Sequence, residues 1–303
     1  VSRSQQRGKD LAETTNSGND RKDERPDALP NLTDAEIQQV QERTTISAVV
    51  VHEAVREEGE RELSRPVAAL AWSGLAAGLS MGFSLVGQGL LQTYLPPTSW
   101  RPVLASFGYS LGFLIVVLGR QQLFTENTLT PILQLLTYRN LQTLMRVLRL
   151  WAVVLVANIL GALAFAYLVA HTAIFPPAVK QTFDTMGHDA ARGDFVATLL
   201  RAVFAGWLIA LMVWLLPTAE TARVHIIIIL TYFVGLGGFA HIIAGSVEVL
   251  YSVAAGSLSW IAFLWGFFVP TLIGNCIGGV SLVAALNFAQ VITEGRRNAK
   301  SAL

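Results

Sequence analysis

The segment GGFAHIIAGSVEVLYS, residues 237–252, places a histidine (His241) and a glutamate (Glu248) seven positions apart inside a long apolar run. A histidine titrates near neutral pH and can offer a proton or a charged hydrogen bond, and an ionisable residue in an apolar span marks a solute or ion path unless it is paired. A second apolar run is interrupted in the same manner by Gly119-Arg120-Gln121-Gln122-Leu123-Phe124-Thr125-Glu126-Asn127. Glu248 reads either as an ion-pair or subunit contact or as part of a path. Glu126 reads as a cap for a half-helix starting near Asn127, because a carboxylate suits a helix N-terminus. Arg120 and Arg201 are the expected partners of these two glutamates. His52, His171, His188 and His225 fall in the tail, in loops or at a span edge and read as surface residues. No metal-ligand cluster, nucleotide loop or nucleophile–base arrangement stands out, so neither a cofactor nor an enzyme activity is expected. Gly235-Leu236-Gly237-Gly238 is a helix-breaking run and not a phosphate cradle.

The elements that must hold these groups follow from composition. The chain is 52% hydrophobic and 14% charged, against about 25% charge in soluble domains. Residues 1–65 carry 10 of the 22 basic and 14 of the 21 acidic residues, so the net charge of +1 averages an acidic tail with a mildly basic body. Residues 1–30 cannot bury enough apolar surface to offset ordering and are expected to be disordered. Thr33 and Glu36 form a capping box. Ile37, Val40, Thr44, Ala48, Val51 and Val55 then mark the apolar face of an amphipathic helix over about 34–62, lying on the membrane, against the protein, or solvated with no special role. The tail is expected to be dispensable, a chain beginning near Ser64 still assembling. A single cysteine, Cys276, excludes an intrachain disulfide.

From Pro66 onward the pattern is of membrane spans, near the ~20 residues that cross ~30 Å of hydrocarbon. They are expected at about 67–91, 103–137, 150–170, 195–216, 224–255 and 258–285. The second and fifth are too long and too interrupted to be simple helices, and irregular backbone at membrane depth is tolerated where it faces protein or a water-filled path. Basic residues in the connections favour cytoplasmic N- and C-termini. The expected organisation is a tail over 1–65, a channel domain over 66–290 and a short tail over 291–303.

The halves repeat. Ala157-Asn158-Ile159-Leu160-Gly161-Ala162 matches Gly274-Asn275-Cys276-Ile277-Gly278-Gly279, 117 residues on, so Asn158 and Gly161 correspond to Asn275 and Gly278. The same offset carries Phe124 onto His241. Three spans per half require the second copy to be inverted, the plan of many transporters and channels.

With these motifs the chain resembles the formate/nitrite transporter family over roughly residues 66–290. The likeness is carried by Leu123-Phe124-Thr125, Asn158-Ile159-Leu160-Gly161-Ala162, Gly238-Phe239-Ala240-His241 and Gly274-Asn275. It implies an all-α, aquaporin-like membrane protein with two inverted three-span repeats, assembled as a homopentamer in a bacterial inner membrane. It implies one pore per protomer for small monovalent anions such as formate, nitrite or hydrosulfide, or their conjugate acids. It implies that His241 is the central pore histidine, that Thr125 hydrogen-bonds it, and that Leu123 and Phe124 form the cytoplasmic-side constriction, with Phe239 on the path. No nucleic-acid partner is implied. Several positions depart from the family pattern. Ala240 stands where a glutamate is usual and Gly206 where an asparagine is common. A vestibule lysine is missing around Ala190, with Arg192 close by, while Glu126 and Glu248 are unusual. These departures leave open a neutral solute or a cation such as ammonium, or a closed-pore scaffold working through the tail.

Overall fold

A computed structural model describes residues 47–219 and 221–284, with the single positions 289 and 293. The capping box at Thr33 and Glu36, the early turns of the tail helix and the C-terminal tail lie outside the described residues.

Helix α1, Ala48–Ser64, starts at Ser47, whose hydroxyl accepts the amide of Val50. It buries Val51, Val55, Gly59 and Leu63, a four-residue stripe that seats one face on the protein, and it belongs to the compact unit that begins at Ile46. Helices α2 (Val67–Tyr94) and α3 (Arg101–Leu118) follow, then a 3-10 turn (Glu126–Thr128) and α4 (Thr130–Tyr138). Next come α5 (Leu141–His171), α6 (Pro177–Ala191), α7 (Phe195–Leu215), α8 (Arg223–Leu236) and α9 (Ala244–Ala254). The last stretch is π-helical over Ala262–Phe268, α-helical as α10 (Val269–Ile277) and π-helical again over Gly278–Ala284.

Among the described residues, five helical stretches are long and apolar enough to cross a membrane: α2, α3, α5, α7 with the turn after it, and Ala262–Ser281. The expected fifth span is two shorter apolar helices, α8 and α9. The expected second span is likewise divided into α3 and α4. Large apolar side chains such as Val156, Leu160, Ile229 and Phe233 are exposed on the outside, as in a protein whose surroundings are apolar.

The two breaks are built alike. At the end of α3, the Arg120 amide donates to Val117 O and the Gln121 amide to Val116 O. At the end of α8, the Gly238 amide donates to Gly235 O and the Phe239 amide to Val234 O. Both are Schellman closures, which need a left-handed residue just past the helix, here Arg120 (φ 49°) and Gly238 (φ 59°). Gly238 takes that backbone freely; Arg120 does so at a cost of about 1 kcal/mol.

Asn158 of α5 and Asn275 of α10 then fasten the breaks. Asn158 Nδ2 donates to Gly74 O (2.7 Å) and Gln122 O (2.9 Å), while its Oδ1 accepts the Phe124 amide (2.9 Å). Asn275 Nδ2 donates to Ala202 O (2.8 Å) and Ala240 O (2.9 Å), and its Oδ1 accepts the Ile242 amide (2.8 Å). Phe124 therefore corresponds to Ile242, and it is Leu123 that corresponds to His241. The sequence register was one residue off, because the breaks repeat at an offset one longer than the helices that clamp them. A Cβ on Gly206 would run into the Asn275 carbonyl, just as one on Gly78 would run into that of Asn158. Gly206 is thus a close-packing position between α7 and α10, the counterpart of Gly78.

Candidate functional site

His241 lies in the break between α8 and α9 and is 1% exposed. Its Nδ1 accepts the amides of Ile243 (3.3 Å) and Ala244 (3.2 Å), capping α9. Two N–H donors converging on Nδ1 require a lone pair there, so the hydrogen sits on Nε2. That N–H faces Thr125 Oγ1 at 2.8 Å, which leaves the threonine hydroxyl its own hydrogen to donate. The expected Thr125–His241 contact is present and joins the two breaks. Phe113 stands edge-on to the imidazole, with ring centroids 4.9 Å apart.

A cavity of about 440 Å³ reaches His241 and is also bordered by Phe239, Tyr109, Arg201, Asp189 and Glu248. A second, of about 540 Å³, is bordered by Glu126, Gln121 and Arg120 of the other break, and by Glu62, Arg65 and Arg223. Helix α7 runs from Arg201 at the first cavity to Val213 at the second, which is about 18 Å at 1.5 Å per residue. The cavities therefore occupy opposite ends of the bundle, and the Thr125–His241 bond ties the break bordering one to the break bordering the other.

Leu123 and Phe124 border neither cavity and are fully buried; Phe124 packs edge-on against Trp151, centroids 5.8 Å apart. Phe239 stacks on Phe204 at 5.3 Å. Of the repeated residues, Asn158 and Asn275 bond the breaks, and a Cβ on Gly161 or Gly278 would meet the Leu75 or Val203 carbonyl.

The expected ion pairs are not formed. Among the described residues the pairs within 4.0 Å are Arg56–Glu53, Arg61–Glu58, His188–Asp184 and Arg192–Asp189. Arg120 shares a cavity with Glu126, and Arg201 with Glu248, without contact. Both arginines are exposed, so water in the cavities can screen charges that the sequence suggested would have to touch. Glu126 does not cap the half-helix either: α4 begins at Thr130 with no side-chain cap, and among the described residues Glu126 Oε1 has no hydrogen-bond partner. His52 is buried on α1 rather than superficial.

Two contributors were missed by sequence reasoning. Helix α6 brings Met186 and Asp189 to the first cavity; its signal was Pro176-Pro177 followed by Val179, Phe183 and Met186 at helical spacing. Glu62 of α1 accepts hydrogen bonds from Gln122 Nε2 (3.1 Å) and Thr130 Oγ1 (2.9 Å) across the other break. Arg149 Nη2 also donates to Leu63 O at 2.7 Å. Burial raises the Glu62 carboxyl above the ordinary carboxylate range, opposed by those two hydrogen bonds. A helix pinned this way packs on the body of the protein, which bears on the expectation that a chain beginning near Ser64 still assembles.

Comparison with known proteins agrees with this architecture. The formate/nitrite transporter family model matches residues 49–289. The chain is 41% identical over 251 residues to the inner membrane protein YfdC of Escherichia coli, covering 83% of this chain and 81% of that one. It is 28% identical over 249 residues to the formate channel BtFdhC of Bacillus thuringiensis, covering 79% and 93%. Its fold is similar to that of a solved pentameric formate channel with formate bound (TM-score 0.62, 18% identity, 78% and 99% covered). It is also similar to an FNT family ion channel (TM-score 0.70, 15% identity, 79% and 98% covered). With a match across most of its length, this chain is an integral membrane protein of the formate/nitrite transporter family, a family of transporters and channels and not of enzymes.

Proposed function

We propose that this protein is a channel for small monovalent anions or their conjugate acids, of the formate, nitrite and hydrosulfide class. The observation that carries this reading is the 2.8 Å contact of Thr125 with His241 between two cavities at opposite ends of the bundle. A bare anion pays heavily to enter an apolar constriction without a hydrogen-bond partner. The Thr125 hydroxyl, oriented by the His241 Nε2–H, is a donor a passing monoanion or weak acid can use. The names of the Bacillus thuringiensis formate channel and of the formate-bound pentamer point to the same class.

The assembly we propose is a homopentamer in the bacterial inner membrane, with α8 and α9 together forming one of six crossings and both termini cytoplasmic. The outward apolar side chains of each protomer would face lipid or neighbouring protomers. Glu248 and Asp189 at the His241 cavity favour a second reading, a neutral solute or a cation such as ammonium.

The test is flux into liposomes carrying the purified protein, with formate, nitrite, hydrosulfide and ammonium compared side by side. Movement of the anions, reduced at least tenfold by Thr125→Val, is expected. Ammonium flux alone would overturn the anion reading, and no flux of any solute would favour a closed-pore scaffold.

A further inference from the structure

His241 is an incomplete account of how a weak acid could pass. Its Nδ1 is occupied by two backbone amides, and its Nε2–H is directed at Thr125. In this arrangement the imidazole has no proton to release to a solute without breaking the bond that joins the two breaks. A solute that crosses as a neutral acid must take its proton elsewhere.

Glu248 is placed to supply it. It lies on α9 and borders the cavity that reaches His241. Among the described residues its carboxyl has no hydrogen-bond or ion-pair partner, so it is not committed to holding the fold. The other titratable groups bordering this cavity are Asp189 of α6, Arg201 of α7, Tyr109 of α3 and His241 itself. Of the elements packed on α9, α2 brings the neutral Gln88 and Gln92, the Ala262–Phe268 segment brings Phe267, and α5 brings nothing to the cavity. Asp184 and His188 of α6 pair with each other, and Tyr251 of α9 packs on Phe183.

These neighbours differ in what they can do. Asp189 is engaged by Arg192 at 3.4 Å. A guanidinium, as on Arg201, and a phenol, as on Tyr109, are both too weak as acids to give up a proton near neutral pH. Two carboxylates on one cavity repel, and a proton on Glu248 removes that repulsion. The same proton also removes the negative charge an incoming anion would otherwise meet.

We infer that Glu248 is the proton-loading residue of this channel: its carboxylic acid protonates the monoanion in the cavity, and the neutral acid then passes His241 and Thr125. The glutamic acid O–H bond breaks, an O–H or S–H bond forms on the solute, and nothing is oxidised or reduced. The carboxylate left behind regains a proton from water on its own side of the membrane. This inference rests on the proposed transport of weak-acid anions.

The experiment uses the full chain in liposomes with a trapped pH dye and an imposed formate or nitrite gradient. Wild type is expected to carry one proton with each anion. Glu248→Gln is expected to lower proton-coupled flux at least tenfold while keeping the melting temperature of the wild type. Glu248→Asp is expected to restore part of it. Asp189→Asn, which removes the repelling charge, is expected to move the pH at which flux is half-maximal downward. Unchanged flux in Glu248→Gln, or an increase that marks Glu248 as a plain electrostatic barrier, would overturn the inference. So would wild-type anion flux without protons, with the proposed function left standing. A wild type that moves no weak-acid anion would overturn both, and ammonium flux lost in Glu248→Gln would make Glu248 a cation site.

Discussion

Replacing Asn158 by alanine tests whether the breaks are held by the asparagines or only by packing. The side chain is completely buried and makes three hydrogen bonds of 2.7–2.9 Å. Gly74 O sits within α2 and keeps its helical partner. The Phe124 amide and the Gln122 carbonyl lie in the break and have no replacement there. A buried backbone group stripped of its partner costs about 1–3 kcal/mol, so the two together predict a loss of roughly 2–6 kcal/mol. At ~2–4 °C per kcal/mol for a body of this size, the melting temperature should fall by roughly 5–20 °C. Asn275→Ala should cost a similar amount, since it strands the Ile242 amide and the Ala240 carbonyl in the same way. The two sites share no partner, so the double variant should be additive within ~0.5 kcal/mol. The assay is thermal unfolding in detergent, with Val156→Ala, 57% exposed and half a turn away, as the control. If Asn158→Ala melts with that control, the breaks stand without their asparagines and the reasoning fails.

Other expectations follow from the same contacts. Thr125→Val keeps the shape but removes the acceptor of the His241 Nε2–H; flux should fall at least tenfold with assembly intact, and Thr125→Ser should recover most of it. Gly59→Val should loosen α1, because any Cβ there meets the Thr130 carbonyl; faster proteolysis after α1 would report it, and wild-type resistance would count against the docking. Glu62 gives a pH dependence. Its folded pKa lies above the ordinary 4.5, so the folded state holds the proton more tightly than the unfolded chain, and this group's contribution is complete below 4.5 and shrinks as pH rises through the raised value. Melting temperature should decline across that window in wild type and lose this component in Glu62→Gln; identical slopes would refute it.

The breaks were legible because glycine, charge and amide groups inside apolar runs are costly unless backbone or path requires them, and both runs showed them at once. The repeat of Asn158 and Asn275 with their small neighbours was legible, but that these asparagines clamp the breaks was not. The register within the break is carried by Val116, Leu118 and Gly119, which repeat as Val234, Leu236 and Gly237 at the longer offset. The turn residue itself differs, Arg120 against Gly238, and the asparagine repeat points to the shorter offset. The pairing of Arg120 and Arg201 with glutamates failed because the sequence shows apolar surroundings and not cavities, and charges that border a cavity need not touch. Glu62 reads in sequence as one more charge on a solvated helix; its partners, Gln122 and Thr130, are sixty residues away or more. Helix α6 was hidden for the opposite reason, since its apolar face is short and the helix as a whole is too polar to resemble a span.

The two cavities differ in charge in a way that bears on what passes between them. The cavity reaching His241 has Arg201 against Glu248 and Asp189. The other has Arg61, Arg65, Arg120 and Arg223 against Glu58, Glu62 and Glu126. A monoanion about 7 Å from one uncompensated unit charge gains or loses roughly 2 kcal/mol at an effective dielectric of ~20. Asp189 is paired with Arg192, so the arginine-rich cavity favours an anion while the cavity reaching His241, with Arg201 against Glu248, does not. A solute that kept its negative charge throughout would give up that stabilisation at the His241 end. A weak acid that takes a proton there is indifferent to it, and on losing the proton at the other end it meets the cavity that stabilises the anion. The polarity of the charges suits the proposed protonated passage past His241, and the departure at Glu248 is compatible with the proposed transport of a weak-acid anion.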